Sequence, residues 1–403
     1  MDKQKDVIRR LAERVMQIAQ SEEMPAILQR WKDVNELRKP DRPPVWCKPV
    51  GCWSELLPEE SLECTEPWLR NIEIGFRQIL IKADIGDDSP VYPWFAVPAV
   101  VEVTPPNTWG VAIRHVSSAE KGGAWAYDPP LKTPEDLDKL AMPKYTFHRR
   151  ASLLALEKHH DLLGDILPVK LKFGPSFDSA TLGTAAADLR GLTEMMMDLI
   201  LQPDAMHRLM KHMLRARLNL LDEYEAFRED LCRNNDQPML LSDDFGPAEP
   251  AVSLKNCWCA GNSQEFDQIS PDMFEEFCLQ YQMPIFERFG RVCYGCCEDL
   301  SKKIDMVMKI KNLRIFVASA WTGLDVPLEH INGDYCIMWR QKASDVVMPH
   351  STDALKEDLE LGAKKLKGRF YQVVLRELQT LAGHGDRLKV WTRLAKEAVS
   401  RYS

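Results

Sequence analysis

Cys293, Cys296, Cys297 and Glu298 stand within six residues, in the order Cys-x-x-Cys-Cys-Glu. Three thiols and a carboxylate this close suit a soft or borderline metal such as zinc. A catalytic zinc takes about three protein ligands and leaves one position open. One short cluster does not close such a site, so a distant ligand is also needed. The plain alternative is a set of buried, inert cysteines in a cysteine-rich chain. Asp243-Asp244 offers a general base, a metal ligand or merely a solvated loop pair. Glu298 and Glu377 are candidate ligands or acids, and each has a bland alternative as a partner for Arg340 or Arg376. Cys257-Trp-Cys259 reads as packing in a connection. The nine histidines form no cluster.

These residues need elements to position them. Apolar, β-prone runs occur at Leu167–Gly174, Pro238–Phe245, Gly290–Gly295, Leu313–Ser319, Asp334–Trp339 and Arg369–Leu375. Helical stretches alternate with them, among them Ala186–Leu201, Pro203–Arg228, Pro271–Arg288 and Thr352–Lys367. Strands alternating with helices imply a parallel sheet. Two further strands, from the 43–50 and 96–114 regions, make eight. The fold expected is α/β: a (β/α)8 TIM barrel over 1–403 as one domain, with an N-terminal helical extension over 1–40 and a Trp- and Pro-rich segment after it. A doubly wound sheet is less favoured, because no Gly-rich phosphate loop follows an early strand. In a parallel barrel, chemistry collects where strands end. That rule brings Asp243, Tyr294, Cys296, Cys297, Glu298, Arg340, Lys342 and Glu377 to one mouth.

Composition narrows the function. The 403 residues carry 52 basic and 60 acidic side chains, a net charge of −8. Such an acidic chain is not expected to bind nucleic acid. No window of about 20 apolar residues exists, so no membrane span is expected. Met1–Val15 is charged and lacks an apolar signal core. Eleven cysteines in a large, core-rich chain read as reduced thiols, and the expected location is cytoplasmic. Seven of the eleven tryptophans lie in the first 125 residues. Trp46, Trp53, Trp94, Trp109 and Trp125 are candidates for an aromatic pocket, though core packing is the ordinary role of any one of them.

Two segments, Asn262–Phe277 and Asp188–Leu199, together with the tail Val374–Leu388, resemble the uroporphyrinogen decarboxylase superfamily. The resemblance covers most of the chain and implies a TIM barrel. That superfamily holds decarboxylases and cobalamin-dependent methyltransferases, some of which bind zinc. Decarboxylases carry Pro-Val-Trp-x-Met-Arg-Gln-Ala-Gly-Arg, whose arginines bind propionates. Here Pro44-Val45-Trp46 is followed by Cys47-Lys48-Pro49-Val50-Gly51-Cys52-Trp53. The bidentate partners of a porphyrinogen are missing, which speaks against that activity. The methyltransferase branch uses His-x-Cys after a strand and a Cys after the last strand. Here Tyr294-Gly295-Cys296 and Leu375-Arg376-Glu377 take those places, so the resemblance implies a modified zinc site built from Cys296 or Cys297, Glu298 and Glu377. The Cys-Cys-Glu sequence resembles the methyl-donor side of corrinoid systems.

The expected function is therefore O-demethylation of a small, methoxylated aromatic substrate, with the methyl passed to the cobalt of a partner corrinoid protein. Zinc, or Tyr294 or a protonated Asp243, would assist the leaving oxygen. Trp46, Trp53 and Trp109 would line the pocket, and Arg340 and Lys342 would hold a carboxylate or phenolate. A docking surface for the corrinoid carrier is expected around the 242–246, 293–298 and 376–384 loops. A decarboxylase of a smaller substrate and a non-catalytic partner-binding barrel are the rivals; a homodimer is left open.

Overall fold

The computed structural model describes residues 2–117, 125–331, 333–348 and 352–403. Its strands are β1 (Val45–Cys47), β2 (Phe95–Pro98), β3 (Val101–Thr104), β4 (Arg114–Ser117), β5 (Trp125–Asp128) and β6 (Lys144–Phe147). They continue with β7 (Val169–Lys172), β8 (Trp258–Gly261), β9 (Arg291–Tyr294), β10 (Leu313–Ala318), β11 (Cys336–Gln341) and β12 (Phe370–Leu375). The main sheet runs β1-β12-β11-β10-β9-β8, with every pairing parallel. A second parallel pair joins β2 to β7. β3 with β6 and β4 with β5 form antiparallel ribbons.

The parallel α/β architecture is thus present, while a closed eight-stranded barrel is not seen. Among the described residues no ladder links β1 to β2 or β7 to β8. Side chains and loops take the hydrogen bonds that a ladder would have used. At one edge Val45 N donates to Asp88 Oδ2 and Cys47 N to Asp87 Oδ2, each near 2.7–2.8 Å. At the other edge the Asn234 side chain brackets Trp258, accepting from its N–H at 2.7 Å and donating to its carbonyl at 2.8 Å. Ala260 is bridged to Phe177 and Ala180. Both sheet edges are satisfied without closure.

Two sequence expectations change here. Pro238–Phe245 is not a strand: Pro238–Leu240 is a short 3-10 turn. Its carbonyls are taken by side chains, Met239 and Leu241 by Asn35 and Ser242 by Asn235. The strand in that place is β8, which contains Cys259 and follows Cys257. Both thiols are fully buried, and burial pushes the Cys257 thiol up to about 12.

Alternation along the strands separates two faces. Trp46, Trp258, Cys293, Ile315, Met338 and Val374 pack inward with Trp31 and Val34 of the helix Met24–Asn35. Their neighbours Cys47, Tyr294, Phe316 and Val373 pack outward under the helices. A sheet buried on both faces explains why its strands read as continuous apolar runs. The helix Met24–Asn35 is therefore a plug beneath the inner face and not a detached extension. Gln372 Nε2 donates to Asn35 Oδ1 at 2.7 Å, and the Trp31 indole N–H donates to Asp88 O at 2.6 Å. The first helix, Asp2–Ala19, packs in a separate apolar cluster with Leu69, Ile72 and Phe76. No helix among the described residues is long and apolar enough to cross a membrane.

Candidate functional site at the strand ends

The inward alternation continues past the strand core. Two residues beyond Trp46 is Lys48, two beyond Met338 is Arg340, and two beyond Val374 is Arg376. Lys48 N donates to Leu375 O at 2.8 Å, so the ends of β1 and β12 stay side by side. One face of the parallel sheet therefore delivers three cations to its carboxyl-terminal mouth.

The cysteine loop meets them from β9. Gly295, at φ +115°, turns the chain where a Cβ would lie 2.8 Å from Val317 Cβ. Glu298 then fixes the loop. Its Oε1 accepts from Ser263 N at 2.7 Å and its Oε2 from Cys296 N at 2.9 Å. Glu298 is buried, and burial raises its pKa.

The two thiols face each other, with Cys296 Sγ and Cys297 Sγ 3.5 Å apart. Cys297 Sγ also lies 3.6 Å from Glu377 Oε1. Arg340 Nη1 lies 2.8 Å from Glu377 Oε1, 2.9 Å from the Cys296 carbonyl and 3.7 Å from Cys296 Sγ. Glu377 reaches this place from a left-handed backbone, φ +62°. Arg340 is 3% exposed, and its Nε, also buried, has no partner.

Electrostatics sort the thiols. The hydrogen bond from Cys297 lowers the Cys296 pKa to about 6, assisted by the charges of Arg340 and Arg376 and opposed by burial. The same hydrogen bond, with burial, raises Cys297. The pair thus favours the thiolate on Cys296 and keeps the proton on Cys297. Lys48 feels Arg376, Arg340, Asp178 and Cys296. Lost hydration in the mouth, then the two guanidinium charges, push its ammonium below the ordinary lysine value. Among the described residues, Lys48 and Arg376 have no side-chain ion pair or hydrogen bond.

The structure gathers Cys296, Cys297, Arg340 and Glu377, with Glu298 as the loop's clamp. It does not gather the others. Tyr294 ends β9 facing outward, fully buried against Phe274 and Phe286, and its hydroxyl donates to Gln282 Oε1 at 3.0 Å. Asp243 lies at the opposite end of the sheet. Its N–H donates to Glu36 Oε1, and Glu36 grips Arg291 at the start of β9. Burial opposes its charge, but Arg38 and Lys32 outweigh that and hold the Asp243 carboxyl below its usual value. The 242–246 loop is therefore not part of the mouth. Lys342 is exposed over the Trp321 ring, 5.3 Å from its centroid.

Trp46 and Trp53 line one cavity of about 300 Å³ together with Lys48 and Lys82. Trp109 lines a different one, about 110 Å³, with Tyr145 and Arg217. Trp94 stacks on Tyr92; the Trp125 side chain lies outside the described residues. Arg376 directly follows Leu375, so reading the residues after that strand already brings it to the mouth; Lys48 is the residue the sequence does not single out. The signal for Lys48 is the two-residue step beyond Trp46, which needs the inward face to be known first.

The zinc expectation meets a poor donor set. Among the described residues no three His, Cys, Asp or Glu side chains converge as a metal requires. Both Glu298 oxygens are spent on backbone N–H groups, and the Arg340 cation already occupies the face between Cys296 and Glu377. The residues as placed do not fit a zinc ion.

No family model and no curated protein matches this chain. Among solved structures it is similar to a methyltransferase from Methanosarcina mazei, at 13% identity and a TM-score of 0.52. The match covers 92% of this chain and 98% of that one. At this identity the likeness is one of fold.

Proposed function

We propose that the chain is a methyltransferase that removes the methyl group of a small methoxylated aromatic and delivers it to the cobalt of a partner corrinoid protein at the strand-end mouth. The observation that carries this reading is the mouth itself, where buried Arg340 and two unpaired cations, Lys48 and Arg376, come together, and where Lys48 also lines the cavity that holds Trp46 and Trp53. The shared fold with a methyltransferase and the residue resemblance to the corrinoid-dependent branch support it.

When bound, the corrinoid supplies a strongly nucleophilic cobalt that accepts the methyl group. The chain's task is the other half, because breaking a methyl–oxygen bond leaves negative charge on oxygen. Fixed cations aimed at that oxygen stabilise it without reorganisation. Arg340 is preorganised by Glu377 and the Cys296 carbonyl. Lys48, whose lowered pKa eases loss of its proton, is placed to pass that proton to a departing phenolate. Trp46 and Trp53 enclose the ring and exclude water. No step needs Tyr294, Asp243 or a metal.

The test is the dependence of rate on leaving-group acidity. Reduced protein is mixed with cob(I)alamin and a series of methoxyarenes whose parent phenols differ in pKa. The slope is expected to be shallow in the wild type and steeper in Lys48→Met, which cannot donate. Equal slopes would remove Lys48 from the reaction. Release of carbon dioxide from carboxylated donors, with no methyl transfer, would favour a decarboxylase instead.

A further inference from the structure

Cys296 and Cys297 are the one pair of sequence-adjacent cysteines in the chain, and their sulfurs lie 3.5 Å apart. Both are half-buried, as is Cys232, whereas the other eight cysteines are buried. The peptide between them belongs to no ladder: residues 296–298 are bends, and Cys296 N–H is held by the Glu298 side chain. We propose that Cys296 and Cys297 form a reversible oxidation site, closed by a hydroperoxide to a disulfide between adjacent residues that silences the mouth.

The chemistry balances with one equivalent of hydrogen peroxide. The Cys296 thiolate attacks an oxygen of the O–O bond, hydroxide leaves, and Cys296 becomes a sulfenic acid. The Cys297 sulfur then attacks the Cys296 sulfur. The S–S bond forms, the S–O bond breaks, and the hydroxyl leaves as water with the Cys297 proton. The two sulfurs lose two electrons and the peroxide gains them. Thiolate character at Cys296, held by Cys297 and the neighbouring arginines, favours the first step. Arg340 keeps that sulfur beside its partner.

Closure has a structural cost. Adjacent Cα atoms are about 3.8 Å apart across a trans peptide, whereas disulfides usually span roughly 4.4–6.8 Å. The bond is strained and so belongs to the easily reduced, regulatory kind. It would also remove the Cys296 thiolate beside Arg340 and the Cys297 contact with Glu377. The strained peptide would shift the Cys296 carbonyl, one of the two groups that aim Arg340. This silencing rests on the proposed methyl transfer; formation of the bond does not.

The test uses the full-length reduced protein and equimolar hydrogen peroxide, followed by intact mass and tryptic mapping. The expected product has lost two hydrogens within the peptide Val292–Lys302, and dithiothreitol restores them. That peptide also holds Cys293, so Cys296→Ser and Cys297→Ser are each expected to abolish the loss. Cys297→Ser should instead trap a sulfenic acid that dimedone captures, and Cys232→Ser should behave as wild type. Gain of oxygen without loss of hydrogen in the wild type, or a loss that persists in either variant, overturns the site. If the disulfide forms and methyl transfer is undiminished, the silencing is overturned. If it forms in a protein that never transfers methyl groups, the oxidation site stands and the proposed reaction falls.

Discussion

Replacing Arg340 with methionine keeps most of the side chain's volume and removes its charge. Two effects follow from the geometry. The first is on stability. Removing one partner of a buried ion pair costs about 3–5 kcal/mol, but Glu377 is 32% exposed and water will screen it. A loss of about 2–3 kcal/mol is the reasoned value, read as a lowered urea midpoint. The second effect is on Cys296, which loses a charge-assisted contact worth about 1.5–3 kcal/mol. At about 1.4 kcal/mol per pKa unit this is roughly one to two units. The sign is upward, because a cation that stabilises the thiolate has gone. The rate of iodoacetamide alkylation at Cys296 should therefore titrate near pH 6 in the wild type. In Arg340→Met it should titrate near about pH 7–8, with the Cys297 hydrogen bond and Arg376 still lowering it. An unchanged midpoint, or a wild-type midpoint near an ordinary thiol's, would refute the electrostatic account of the mouth.

The remaining predictions concern the frame of the site. Glu298→Ala leaves the N–H groups of Ser263 and Cys296 without acceptors. At about 1–3 kcal/mol per buried group, it should lower the thermal midpoint more than Glu298→Gln, which keeps one acceptor. Asp88 accepts from Arg30, Arg42 and Val45 N at the β1 edge. Burial opposes its charge, but Arg42, Lys396 and Arg30 outweigh that and lower its pKa. Its contribution to stability is full above the unfolded value of about 3.9 and fades as pH falls through the lower folded value. Asp88→Asn should cost about 3–5 kcal/mol near neutrality and flatten the acid limb of the stability curve. Added zinc should leave Cys296 alkylation unprotected; stoichiometric protection, lost in Cys297→Ser, would reinstate a metal site.

The sequence discloses most of the parallel sheet because β9 to β12 are buried on both faces and read as mainly apolar runs. It hides β8, since Trp-Cys-Ala-Gly is too short to announce itself and its edge is completed by the distant Asn234. Pro238–Phe245 has a strand's composition, but Asn35 and Asn235 take its carbonyls. Reading the residues after each strand finds Cys296, Cys297, Arg340 and Glu377. It fails for Tyr294 because a strand alternates, and one residue decides between mouth and core. It fails for Asp243 once its strand is lost. Lys48 becomes visible only when the inward face is known from Trp46. The zinc expectation arises from thiol count, whereas Arg340's position between donors is a tertiary fact.

The most direct measurement of the central claim follows the methyl group itself. Reduced wild-type protein is incubated anaerobically with cob(I)alamin and a methoxyarene carrying a 13C-labelled methyl, and the label is observed by nuclear magnetic resonance. The label is expected to move from oxygen to cobalt, with equimolar release of the phenol, and Arg340→Met to slow this by about 10²–10³-fold, as for loss of one oxyanion donor. A label that stays on oxygen across the donor series, or a transfer rate indifferent to Arg340, would contradict the claim.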